Sequence, residues 1–94
     1  MEFEWDPAKA ELNREKHGID FIRAEDVFFD SHCILQDSTR ERDPERRSKA
    51  IGKIDDGRLF TVIFTIRGDR TRIISARRAW DNERRKCYTS SEAT

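Results

Sequence analysis

The sequence predicts a small α+β domain: two N-terminal helices packed on a mostly antiparallel sheet of about four strands, with a short C-terminal helix. Three observations predict it. The chain has 94 residues, enough for one domain with one modest core. Apolar residues fall at helical spacing before Ser31 and in short alternating runs after Ser48. Helices followed by strands, rather than interleaved with them, end up packed on one sheet face.

Each element has its own signal. Phe3 and Trp5 alternate with acidic residues, which suits a short strand or an apolar anchor. Asp6-Pro7 is an N-cap with proline at the first helical position, and Gly18 supplies the left-handed stop. The first helix is therefore expected to run through Leu12 to about Lys16. A second helix starts at Asp20 and carries Phe21, Ala24, Val27 and Phe28 at helical spacing, with Ile19 packing on Ala24 across the cap. Asp30-Ser31 ends it. His32 to Gln36 reads as a short strand, and Asp37 to Arg47 as a long polar loop, the kind of connection that often carries function. Ser48 to Ile54, Leu59 to Ile66 and Thr71 to Arg78 read as a meander, turned at Asp56-Gly57 and Arg67-Gly68-Asp69. Leu59 to Ile66 is the most apolar and should be central. A short helix from about Ala79 to Tyr88 completes a domain of residues 1–88, with 89–94 as a flexible tail.

Charge separates along the chain. Only 35% of residues are hydrophobic and 40% are charged, yet the net charge is zero. That balance argues against disorder, which usually pairs low hydrophobicity with high net charge. Residues 1–39 hold four cations against ten anions, and residues 40–94 hold fifteen against nine. Fourteen of the nineteen cations are arginine, whose guanidinium fork suits phosphate oxygens. A solvated surface laced with ion pairs has the same composition. Cys33 and Cys87 fit neither a metal-ligand spacing nor a disulfide framework. The acidic N-terminus has no apolar signal region, and no run reaches the ~20 residues of a membrane span. A reducing, cytoplasmic setting without membrane contact is the expectation.

Two blocks carry a family resemblance. Phe3-Glu4-Trp5-Asp6-Pro7, Asn13, Lys16-His17-Gly18-Ile19, Phe21 and Val27-Phe28 form the first. Glu45-Arg46-Arg47, Ile51-Gly52, Gly57-Arg58, Thr65, Arg67-Gly68, Arg72-Ile73-Ile74-Ser75-Ala76-Arg77 and Glu83-Arg84 form the second. Together they resemble the BrnT toxins, from Glu2 to Tyr88. The resemblance implies a RelE-like fold, RNA cleavage without a metal or other cofactor, and inhibition of translation. It also implies neutralisation by a BrnA-like ribbon-helix-helix antitoxin, which would contact operator DNA on behalf of the complex. Phe64 stands where the family often has tyrosine, so no hydroxyl role is carried over there.

Metal-free RNA cleavage needs a base, an acid and cations for the charged phosphorane. Arg77 belongs to the matched motif and is the expected phosphate-stabilising cation; an ion pair with Glu83 is the competing reading. Simple alternation puts Arg77 with Ile73 and Ser75 on one face, and Arg78 with Arg72, Ile74 and Ala76 on the other. His17 is the candidate for proton transfer, or else a partner for the helix dipole. Glu45 and Arg46 are the further catalytic candidates. Lys16, Arg47, Lys49, Lys53, Arg58 and Arg78 are candidates for the RNA backbone. Trp80 either stacks on a base or, with Cys87 and Tyr88, docks the last helix. Trp5, Phe21, Phe28, Phe60, Val62 and Phe64 are expected in the core, and His32 at the surface. A non-catalytic nucleic-acid-binding or protein-interaction module stays open beside the enzyme.

Overall fold

Asp6 and Gly18 bound the first helix, α1 (Pro7–His17), as the sequence predicts. The Asp6 side chain accepts from the Ala8 amide at 2.9 Å, and Gly18 closes the helix at φ 70°. The computed structural model describes residues 1–92, with side chains through Cys87. The second helix is shorter than expected: α2 (Phe21–Ala24) is one turn, followed by a 3-10 segment, Glu25–Phe29. Tertiary packing overrides the helical period here. The greater rise of 3-10 winding carries Val27 and Phe28 across the sheet, and Phe28 packs between Phe3 and Phe64, with ring centroids 5.2 and 5.0 Å away. Val27 approaches Gly52 so closely that a Cβ there would lie 2.9 Å from its carbonyl oxygen.

The sheet has five strands rather than about four: β1 (Glu2–Glu4), β2 (Ile34–Asp37), β3 (Ser48–Lys53), β4 (Leu59–Arg67) and β5 (Arg70–Arg78). Their order is β1-β5-β4-β3-β2, so the apolar β4 is central. The strand β1 pairs parallel to β5 and makes the sheet mixed. Trp5 lies beyond it and meets Phe21 edge-on at 5.9 Å. The last helix, α3 (Asp81–Glu92), begins two residues later than expected. It also runs past the expected end at Tyr88 to Glu92, so residues 89–92 of the expected tail are helical, and residues 93–94 lie outside the described residues. Among the described residues, no helix is long and apolar enough to cross a membrane.

One face of the sheet lies under α1, α2 and the 3-10 segment. It presents Ala50, Phe60, Val62, Phe64, Ile73 and Ala76 to Ile19, Phe21, Ala24 and Val27, all buried in one cluster. A smaller cluster of Ile51, Leu59, Ala79 and Cys87 lies under α3 on the opposite face. A bulge in β5 corrects the simple alternation. Ile63 pairs with Ser75 but Phe64 pairs with Ile73, leaving Ile74 as an extra residue. Residues opposite one another share a face, so Arg72 moves to the face of Ser75 and Arg77. Ile73 moves to the helix-covered face with Ala76 and Arg78. No glycine or proline marks this bulge in the sequence.

Candidate functional site

On the face away from α1, the first turn of α3 sets Glu83 over β3, β4 and β5. Its side chain is fully buried. One carboxylate oxygen accepts from Arg77 Nη1 at 2.7 Å, Thr61 Oγ1 at 2.9 Å and the Trp80 amide at 2.8 Å. The other accepts from Arg77 Nη2 and Lys49 Nζ, both at 3.0 Å. The Trp80 bond is half of a capping box, in which a glutamate in the first turn reaches back to the N-cap amide. Burial pushes the Glu83 carboxyl up, but hydrogen bonds from Arg77, Trp80, Lys49 and Thr61 outweigh it and hold the pKa at about 2. Glu83 is therefore an anion at any working pH.

Arg77 is held from two sides. Its bidentate edge grips Glu83, and its guanidinium carbon lies 3.5 Å from the centroid of the Trp80 ring. Nη1 also donates to the Arg78 carbonyl at 3.3 Å. Of five guanidinium hydrogens, these contacts use three and leave Nε–H and one on Nη2. Trp80 is exposed, 59% of its surface facing solvent. It caps the arginine rather than docking the helix, a correction to the stripe reading; Cys87 is the buried member of that stripe. The Tyr88 side chain lies outside the described residues.

His17 closes α1 beside a pocket of about 210 Å³ lined by Lys9, Leu12, Asn13, Lys16, Ile74 and Ser75. Burial lowers its pKa, and the charges of Lys16 and Arg77 lower it further. His17 is thus in the electrostatic reach of Arg77 and mostly neutral near pH 7. Asn13 anchors this wall: its Oδ1 accepts from the Ala76 amide at 3.0 Å and its Nδ2 donates to the Ile19 carbonyl at 3.4 Å. Across the bulge, Ile74 and Ser75 also line a second pocket, with Ser38, Arg40, Arg47 and Ile63.

Lys16 and His17 thus share one pocket with Ile74 and Ser75, Arg47 shares the next, and Lys49, Arg77 and Trp80 gather at Glu83. Other candidates lie elsewhere. Glu45 pairs with Arg67 at 2.9 Å, six residues along β4 from Thr61, or ~20 Å at strand rise. The Arg67 hydrogen bond lowers its pKa, which also weakens it as a base. Arg46 is an exposed partner of Asp37 at 3.3 Å. Arg58 and Arg78 both lie over the ring of Phe60, at 5.3 and 5.7 Å. Lys53 lines a pocket with Asp26, Asp30 and Asp55, an acidic setting for a phosphate. Residues that sequence reasoning missed are Thr61, Ser38, Ser75 and Arg72. Arg72 donates to Glu4 at 2.7 Å and lies on the Arg77 face only because of the bulge. The place of Glu83 as the centre of the cluster was also missed, although its capping-box position was a usable signal. His32 is exposed, as expected.

The sequence matches the family model described as ribonuclease toxin, BrnT, of type II toxin-antitoxin system, over residues 5–83. The crystal structure of the Brucella abortus ribonuclease toxin BrnT is similar in fold and sequence. It superposes with a TM-score of 0.61 at 27% identity, covering 86% of this chain and 99% of that one. A search of curated proteins returns no match.

Proposed function

Because the chain belongs to the BrnT family of type II toxin–antitoxin ribonuclease toxins, we propose that it is a metal-independent endoribonuclease whose chemistry centres on Arg77 and His17. Its substrate is RNA, and cleavage inhibits translation. The observation that carries this reading is the guanidinium of Arg77, fixed between Glu83 and Trp80 with His17 in its electrostatic reach. The ribose 2′-OH attacks the adjacent phosphorus, a base takes its proton, and the O5′ leaves with a proton from an acid. The products are a 2′,3′-cyclic phosphate end and a 5′-OH end. Arg77 stabilises charge on the non-bridging oxygens. His17, kept neutral near pH 7, accepts or returns a proton. Lys16, Lys49 and Arg47 hold neighbouring phosphates, and the exposed Trp80 ring stacks on a base. The requirement for a 2′-OH restricts the enzyme to RNA. A BrnA-like ribbon-helix-helix antitoxin neutralises it in the cytoplasm and carries the complex to operator DNA.

The bidentate Arg77–Glu83 pair favours a second reading, in which the arginine is structural and the basic face only binds nucleic acid. Cleavage of RNA by the purified chain in EDTA separates the two, with Arg77→Ala as control. Cyclic-phosphate ends from the wild type, absent in a folded Arg77→Ala protein that still binds RNA, support the enzyme. Binding without cleavage, in buffer and in a translating extract alike, supports the second reading.

A further inference from the structure

The pocket on the far side of the bulge is lined by two arginines, Arg40 and Arg47, with Ser38 and Ser75 beside them. Arg47 is only 20% exposed in its side chain, and its Nε is buried without a hydrogen-bond partner. The surrounding frame is fixed. Thr39 Oγ1 accepts from the Arg47 amide at 2.7 Å and donates to the Arg47 carbonyl at 3.1 Å, while the Ser38 amide donates to that carbonyl at 2.8 Å. Asp43 does not fill the site. Its carboxylate accepts from the Arg40 amide at 2.7 Å and Arg40 Nη2 at 3.4 Å, and lies 3.7 Å from Arg47 Nη1. It tethers both arginines from the loop side. The hydroxyls of Ser38 and Ser75 have no hydrogen bond among the described residues, and Ile63 and Ile74 form the apolar walls.

We propose that this pocket is a binding site for a phosphate-type oxyanion, held by the guanidinium groups of Arg47 and Arg40 and the hydroxyls of Ser38 and Ser75. A guanidinium fork and neutral hydroxyl donors match the tetrahedral, multiply accepting phosphate group. The volume, about 210 Å³, is below the range of roughly 300–1,000 Å³ for sites that enclose a whole ligand. It suits one phosphate, not a nucleotide. Because Ile74 and Ser75 wall both this pocket and the His17 pocket, the phosphate is that of a strand lying across the bulge, next to the one cleaved. This assignment of source rests on the ribonuclease reading; the anion site itself does not.

The test follows the arginine Nε–H and backbone amide signals of the labelled full chain by NMR during titration with inorganic phosphate. A second titration uses an all-2′-deoxy oligonucleotide, which cannot be cleaved. Saturable shifts at Arg47 Nε–H and the Ser75 amide are expected with both probes. Arg47→Lys, which keeps the charge and removes the planar fork, should weaken binding at least tenfold with the amide spectrum elsewhere unchanged. Ser75→Ala should weaken it a few-fold. No saturable shift at Arg47 with either probe, or equal affinity in Arg47→Lys, overturns the site. A response to inorganic phosphate alone keeps the site and overturns the strand as its source. A chain that binds the anion at Arg47 yet never cuts RNA overturns the ribonuclease reading and leaves this one standing.

Discussion

The two faces of the sheet come from the same strands and are built on opposite principles. Along β4, Phe60, Val62 and Phe64 fill the helix-covered face, while Thr61, Ile63 and Thr65 point the other way. Phe60 and Glu83 are both fully buried, on opposite faces of the sheet. The first gains from leaving water, whereas the second tolerates burial only because Arg77, Lys49, Thr61 and the Trp80 amide neutralise and satisfy it. An apolar face accepts another side chain of similar volume. A charged cluster cannot lose one member without stranding the rest, so specific positions are fixed where chemistry is proposed.

Perturbation at either face should cost heavily, but with different pH signatures. Phe60→Ala should destabilise the fold by about 3–5 kcal/mol through a cavity, by the same amount at pH 7 and pH 3. Glu83→Ala should also cost about 3–5 kcal/mol near neutrality, by leaving two cations uncompensated. Its cost should shrink in acid. The folded pKa of Glu83, about 2, lies below the ordinary value of 4.5. Its contribution is therefore complete above the unfolded pKa and fades as pH falls through that window towards the folded value. Urea unfolding at several pH values checks both. An equal pH response in the two variants would break the distinction between the faces.

Smaller effects sharpen it. Gly52→Ala forces a Cβ against the Val27 carbonyl at 2.9 Å and Asp30 Oδ2 at 3.1 Å, and overpacking of this kind costs about 1–3 kcal/mol. The urea midpoint should fall, with RNA cleavage intact in the folded protein. His17 should titrate below its ordinary 6.5, since burial and the Lys16 and Arg77 charges disfavour its cation. The unfolded chain then binds more protons, so stability rises slightly as pH climbs through that range. An NMR titration of the imidazole reads the shift, and Arg77→Met should move it back up. Asp55→Asn, at the exposed Arg23–Asp55 pair, should leave the urea midpoint unchanged within error.

Much of the covered face was legible in the sequence because local rules set it. Asp6-Pro7 and Gly18 bound a helix wherever they occur, Asp56-Gly57 turns a hairpin, and the run from Leu59 is apolar enough to be central. The departures are long-range. The three residues of β1 pair with residues nearly seventy positions away, and no local pattern encodes that. The helix after Asp20 collapses into a 3-10 segment because of what it packs on. In the site, the motif residues Arg77, His17 and Lys16 were legible, but their grouping was not. The bulge at Ile74 sits among β-formers without a glycine, and it decides that Arg72 and Arg77 share a face. Glu83 is legible as an ion-pair partner of Arg77, but its full burial over three strands is not. Glu45 and Arg46 were attractive as loop charges next to matched residues, but their partners, Arg67 and Asp37, hold them away from Arg77.

Single-turnover cleavage of RNA by Arg77→Lys tests most directly whether the charged face does the chemistry. Lysine keeps a cation for Glu83 but loses the planar fork against Trp80. The expected outcome is an unchanged fold, RNA affinity within a few-fold of wild type, and cleavage slowed by ~10²–10³, the usual cost of one transition-state donor. Cleavage at the wild-type rate by a folded Arg77→Lys protein would contradict it and make the arginine a structural partner of Glu83 alone.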